Sequence, residues 1–246
     1  MSFNKEKLPL VIITGASSGI GLATAKMFAD RGHPLLLLAR RLDVMEKLNL
    51  PNTLCKSVDV TDRKALVTAV QEAEAKFGPA DVIVNNAGVM LLGDATKQNP
   101  DEWDRMLEVN VKGLLNGIHA VSAGMVARNH GTIIIISSVA GRKTFANHVA
   151  YTATKFAVHG LSGNLREELS PHDVRVVTIA PGAVETELLS HTNDAGIKAG
   201  YEAWKKDMGA PVLSADDVAR AIVYAYDQPQ GVCIREIVLA ATRQQA

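Results

Sequence analysis

Short, unbroken apolar runs alternate with helix-length amphipathic stretches from one end of the chain to the other, and this alternation limits the fold more than any other feature. The runs fall at Leu10–Thr14, Leu35–Ala39, Asn52–Val58, Asp81–Val84, Thr132–Ser137, Arg175–Ala180 and Val232–Leu239. Several are continuous Val, Ile and Leu. A strand of that kind is buried on both faces, as in a parallel sheet covered by helices on each side. Between the runs lie Gly19–Arg31, Asp62–Phe77, Asp101–Arg128, Val149–Leu169 and Ala215–Asp227, each long enough for a helix. Thr61-Asp62 and the stretch from Ser214 to Asp217 carry side-chain oxygens suited to cap helix starts. Joined by right-handed crossovers, these elements predict an α/β fold with a doubly wound parallel sheet of about seven strands.

Composition narrows the function classes. The 246 residues carry 26 Lys+Arg against 26 Asp+Glu, a net charge of zero, which argues against a nucleic-acid platform. Hydrophobic residues make up 47%, as in a globular chain able to build a full core. Apolar runs such as Pro34 to Ala39 fall far short of a bilayer span. Residues Met1 to Leu8 hold two Lys and a Glu with no apolar stretch, so no secretory signal and no membrane partner are expected. Cys55 and Cys233 are too few for a disulfide framework, and a cytoplasmic location is expected. No linker divides the chain, which predicts a single domain over residues 1–246. Residues 182–212 break the rhythm with no clear strand. Such a long connection after a strand's carboxyl end reads as a substrate-binding loop or lid, the other reading being a surface excursion with a short helix near Glu202–Lys206.

Three clusters point to chemistry. The first strand runs into Thr14-Gly15-Ala16-Ser17-Ser18-Gly19-Ile20-Gly21 and then a helix. Glycines there permit a tight turn and close approach to a pyrophosphate at the helix N-terminus, although a plain structural turn would use the same residues. At the end of the second strand stand Arg40 and Arg41, where an acid would favour a ribose 2′-hydroxyl. Guanidiniums there favour a 2′-phosphate, so the expected cofactor is NADP(H), unless both arginines are merely solvated. Tyr151 and Lys155 sit four apart on one helix face, where an ammonium would lower the phenol pKa toward the working range. Ser138 ends the strand before them, with Ser137 as a rival for the same substrate oxygen. Histidines, cysteines and carboxylates show no metal-ligand spacing.

Together with Asp59-Val60, Asn85-Asn86-Ala87-Gly88, Asn110 and Pro181-Gly182, these residues make the chain resemble the short-chain dehydrogenase/reductase family over nearly its whole length. Gly88–Gly93, Ser138–Arg142 and Thr186-Glu187-Leu188 further resemble NADP-dependent members of the clavulanate dehydrogenase and serine (3-hydroxy-acid) dehydrogenase type. The resemblance implies a Rossmann-like fold and hydride transfer between NADP(H) and a small-molecule carbonyl or alcohol. It makes Tyr151 the general acid, Ser138 the carbonyl anchor and Lys155 the holder of the nicotinamide ribose. Asn110 would hold a water linking Lys155 to solvent, or else satisfy a backbone group.

The resemblance also assigns the nucleotide site. Gly15, Ser17, Ser18, Gly19, Ile20 and Gly21 would receive the pyrophosphate, with Arg40 and Arg41 at the 2′-phosphate. Asp59 and Val60 would meet adenine, Asp59 being alternatively a helix cap. Asn86, Ala87 and Gly88 would pass the adenosine ribose, while Pro181, Gly182, Val184 and Thr186 would meet the nicotinamide carboxamide. A homodimer or homotetramer built on the helices Asp101–Arg128 and Val149–Leu169 is implied as well. Epimerisation or dehydration through transient oxidation, and a non-enzymatic nucleotide sensor, are the competing functions. Arg142 and Lys143 would border the substrate, either binding an anionic group or remaining solvated. His148 and His191 read as structural or exposed, Met90, Leu91 and Leu92 as an apolar wall, and Trp103 and Trp204 as packing anchors.

Overall fold

The computed structural model describes residues 8–209 and 211–245; residues 1–7, on which the leader reading rests, lie outside them. Seven strands form one parallel sheet in the order β3-β2-β1-β4-β5-β6-β7. They are β1 (Leu10–Thr14), β2 (Leu35–Ala39), β3 (Thr53–Ser57), β4 (Ala80–Asn85), β5 (Gly131–Ile136), β6 (Val174–Pro181) and β7 (Glu236–Leu239). The five inner strands are buried along their whole length, as their unbroken apolar runs require, while edge strands β3 and β7 are partly open. Leu35 to Leu38 are all fully buried, and each contributes roughly 1.5–3 kcal/mol of transfer free energy.

Helices cover both faces. The helices α3 (Arg63–Phe77), α4 (Pro100–Leu107), α5 (Gly113–Arg128) and α6 (Val149–Leu169) pack their apolar faces into one core cluster. On the other face lie α1 (Gly19–Asp30), α2 (Leu42–Glu46) and α8 (Ala215–Tyr226), while α7 (Ala195–Asp207), inside the 182–212 segment, packs Ile197 and Tyr201 against the first cluster. Asp62 caps α3 through the Ala65 amide at 3.0 Å, and Ser214 with Asp217 forms a reciprocal capping box on α8. The sheet order reverses between β1 and β4. Open α/β sheets bind ligands at such a point, outside the strands' carboxyl ends.

Three local expectations need correction. The stretch Asp101–Arg128 is not one helix: a π turn at Glu108–Lys112 separates α4 from α5. Its extra residue accompanies the burial of Asn110 against Val89, while Gly113 lies where a Cβ would strike Val60. The final strand starts at Glu236 rather than Val232, because the Val232 amide closes a turn onto the Pro229 carbonyl at 2.7 Å. Residues 182–212 hold the thirteen-residue helix α7 and a 3-10 turn at Glu187–His191. Val184 pairs with Leu213, so this excursion is pinned shut at its base. Among the described residues, no helix is long and apolar enough to cross a membrane.

Candidate active site

A cleft of about 880 Å³ runs along the carboxyl ends of the strands, near the top of the range for small-molecule sites. It collects residues from both sides of the sheet reversal. Gly15, Ser17, Ser18, Gly19 and Ile20 line it from the first loop, followed by Arg40, Arg41, Asp59 and Val60. Asn86, Ala87, Gly88, Ser138, Tyr151, Lys155, Pro181, Gly182, Val184 and Thr186 complete the set expected from sequence. Only Gly21 and Asn110 of that set lie behind its wall.

The first loop is a backbone cradle. Gly15 and Gly19 adopt φ of +66° and +51°, which L side chains rarely take up. A Cβ on Gly21 would collide with the Gly15 carbonyl, so the turn closes only with glycine. Asn86 locks it by donating from Nδ2 to the carbonyls of Thr14 and Gly15 at 3.0 and 3.2 Å. Ser18 starts α1 without capping it, leaving the first-turn amides to an anion. These features fit a pyrophosphate.

Beside the cradle, Arg41 donates to Ser17 Oγ at 3.1 Å and pairs with Glu187 at 2.9 Å. Glu187 comes from the lid segment and gave no signal in the sequence as a partner for the arginine pair. Arg41 holds its carboxyl below the usual range. Asp59 does not cap α3. Its carboxylate accepts from the Thr61 amide and hydroxyl and pairs with Arg105 at 3.1 Å. Burial raises its pKa, but those bonds outweigh burial and leave it lowered.

At the centre, Tyr151 and Lys155 project from α6 and Ser138 from the end of β5, all nine-tenths or more buried. The Ser138 hydroxyl lies on the Tyr151 side, where it lowers the phenol pKa, and accepts from the Ala140 amide at 3.1 Å. Ser137 turns the other way, to His159 Nδ1 at 2.9 Å. The expected lowering of the Tyr151 pKa by Lys155 is absent. Burial raises the phenol well above its ordinary value, and the neighbouring Ser138 hydroxyl only partly opposes this. The Lys155 ammonium instead donates to the Ile136 carbonyl at 3.0 Å, lies 5.6 Å from the Tyr151 ring, and is pushed down to about 8 by burial.

Asn110 is fully engaged through its side chain. It accepts from the Val89 amide at 2.8 Å and donates to the Val89 carbonyl and to Thr154. Behind the cleft, however, a separate cavity of about 10 Å³ is bounded by Asn110, Lys155, Ile136 and Asn85. That is about the space of one water, and the buried Nδ2 of Asn85 lacks any protein partner. Asn85 was legible only as part of a motif; its orphaned amide appears once β4 and α5 are packed.

The remaining expectations divide. Arg142 lies outside the cleft, paired with Glu236 at 2.7 Å, and Lys143 is exposed near the Phe145 ring. Met90 and Leu92 line the cleft and Leu91 does not. His148, His191 and Trp204 line it too, whereas Trp103 is held by Gln98 at 2.7 Å. Phe145, Tyr201 and Gln244 also reach the cleft, from elements far apart in sequence. Among the described residues, no group of three His, Cys, Asp or Glu is placed to hold a metal.

Comparison with known proteins decides the family. The model of the short chain dehydrogenases matches residues 9–196. The chain belongs to the short-chain dehydrogenase family. It is 39% identical to an uncharacterised oxidoreductase of Listeria monocytogenes over 97% of this chain and 98% of the relative. Among solved structures it is similar to the closed form of a serine dehydrogenase complexed with NADP+, with a TM-score of 0.89, 32% identity and 96% of each chain covered. An alcohol dehydrogenase from Thermococcus sibiricus, complexed with 5-hydroxy-NADP, matches with a TM-score of 0.84 and 25% identity over 97% of this chain and 99% of that one. Hydride transfer with NADP(H) is consistent with this family and with its seven-stranded Rossmann-like sheet.

Proposed function

We propose that this oxidoreductase interconverts a carbonyl and an alcohol with NADP(H), using Ser138, Tyr151, Lys155 and Asn110. The observation that carries this reading is the buried Ser138–Tyr151 pair at the floor of a cleft whose other end is a glycine cradle beside two arginines. Bound NADPH supplies the hydride. Tyr151, whose burial keeps its oxygen protonated, is the acid that hands a proton to the substrate oxygen. Ser138 orients that oxygen and shares its charge. Lys155, whose ammonium lies 5.6 Å from the Tyr151 ring, would hold the nicotinamide ribose. Asn110 and Asn85 flank room for one water on the far side of Lys155, which would return the proton from solvent.

Gly15 to Gly21 would hold the pyrophosphate, and Asn86, Ala87 and Gly88 the neighbouring ribose. Asp59 and Val60 would face adenine. Arg40 and Arg41, with Ser17, would hold the 2′-phosphate, and the pairing of Arg41 with Ser17 already aims its guanidinium there. Pro181, Gly182, Val184 and Thr186 would border the nicotinamide end. Residues 182–212 act as a lid over one domain, its base held by the Val184–Leu213 bridge. Leu107, Leu115, Val149 and Phe156 are nearly half exposed or more on α4, α5 and α6, which supports a homodimer or homotetramer on those helices. A cytoplasmic setting accords with these assignments.

The test is nucleotide oxidation with NADPH and NADH in parallel across aldehydes, ketones, keto esters and oxo acids. Turnover with NADPH strongly preferred is expected. Turnover with no net nucleotide change would instead reveal an epimerase or dehydratase, and nucleotide binding without turnover on any class would reveal a sensor.

A further inference from the structure

The substrate end of the cleft carries its own chemical selection. Beyond Tyr151 the wall is a row of rings drawn from two separate segments. His148 lies 5.5 Å from Phe145, 6.1 Å from Tyr151 and 6.4 Å from Tyr201, and Tyr201 lies 5.2 Å from Trp204. Met90 and Leu92 extend this apolar wall. His148 adds no charge, since burial lowers its pKa.

The cations near this end are already engaged. Lys205 lines it and is buried, but its ammonium is paired with Glu185 at 3.0 Å and Glu202 at 2.9 Å. Two carboxylates against one ammonium leave that cluster with a net negative charge. Lys155 donates to the Ile136 carbonyl. Arg142, outside the cleft, is paired with Glu236, and Lys143 is exposed outside the lining. A carboxylate carried against the rings would lose its hydration and face the net negative Glu185–Lys205–Glu202 cluster, a combination that is strongly unfavourable.

We infer that the substrate is a carbonyl compound with an uncharged, aromatic or otherwise apolar tail, and that oxo acids are rejected. This rests on the reductase reading of the site. An oxidised 3-hydroxy acid would bring its carboxylate to a wall of rings beside the Glu185–Lys205–Glu202 cluster.

The experiment compares methyl phenylglyoxylate with phenylglyoxylate, and methyl pyruvate with pyruvate. Each is titrated into the NADP+-bound enzyme by calorimetry and then assayed for NADPH oxidation. The aromatic ester should bind at least about tenfold more tightly than its acid, and more tightly than methyl pyruvate. Its kcat/KM should exceed that of the acid by about 100-fold. Equal or tighter binding of the acid overturns the inference, as does failure of both esters to bind at millimolar concentration. Binding in the expected order without turnover supports the pocket assignment and defeats the reductase reading, whereas turnover with the acid preferred does the reverse.

Discussion

The two ends of the cleft are built on opposite plans. At the nucleotide end, short loops leave β1, β2, β3 and β4 side by side and bond to one another: Asn86 to Thr14 and Gly15, Arg41 to Ser17, Asp59 to Thr61. Most of that end is backbone and charge. At the substrate end the wall is side-chain rings and aliphatic groups, with Tyr201, Trp204 and Lys205 brought in from a distant segment. A diphosphate ligand can be met by any chain that turns tightly at a helix start, so that end can be local. A particular carbonyl compound needs a shape, and shape is assembled from parts remote in sequence. Between the two ends, Ser138, Tyr151 and Lys155 stand on the rigid β5 and α6.

This contrast is broken most severely at the centre. Tyr151→Phe should lower kcat on the order of 10³-fold while nucleotide affinity holds, since it removes an acid without opening a cavity; stopped-flow turnover beside a nucleotide titration measures both. Near-normal turnover would refute the acid assignment.

Lys155 sharpens the same point through stability. Its folded pKa is about 8 against an ordinary 10.5. Below pH 8 both folded and unfolded chains carry the charge, and the fold bears the cost of burying it. Between pH 8 and 10.5 the unfolded chain holds a proton that the folded one has released, so nucleotide-free stability rises with pH. At about 1.4 kcal/mol per unit this amounts to a gain on the order of 3 kcal/mol. Lys155→Met should remove that gain. Urea midpoints at pH 7 and 10 for both proteins test it, and a parallel rise in the variant would refute it.

The nucleotide end supplies two smaller effects. Replacing Arg40 and Arg41 with Ala should weaken NADPH by about 10–100-fold, in keeping with charge-assisted hydrogen bonds, and barely affect NADH. Equal weakening of both would remove the arginines from cofactor selection. Glu187→Gln should do the opposite, tightening NADPH about threefold, because it frees Arg41 from an exposed pair of modest strength. Calorimetry with NADPH and NADH reads this, and no change would mean that the pair does not compete with the 2′-phosphate.

How far each part was legible follows from the same contrast. Every expected strand is present, with shifts at the ends, because continuous Val, Ile and Leu runs leave a strand no open face. The Asp101–Arg128 helix was misread because a π turn leaves no trace in apolar periodicity; its cause, Asn110 reaching Val89, lies across the fold. Ser137 and Ser138 are alike in the chain, and only the fold sets one hydroxyl toward Tyr151 and the other toward His159. Trp204 read as a packing anchor because nothing in the sequence shows that α7 folds back over the cleft.

What the sequence determined by itself was whatever depends on neighbours in the chain: the strand and helix order, the glycine turn, the arginine pair after β2 and the i,i+4 placement of Tyr151 and Lys155. The tertiary structure alone decided the pKa of Tyr151, the partners of Arg41 and Asp59, the water-sized cavity at Asn85 and the neutral aromatic wall. Those are set by burial and by groups tens of residues away, and a linear pattern carries no record of either.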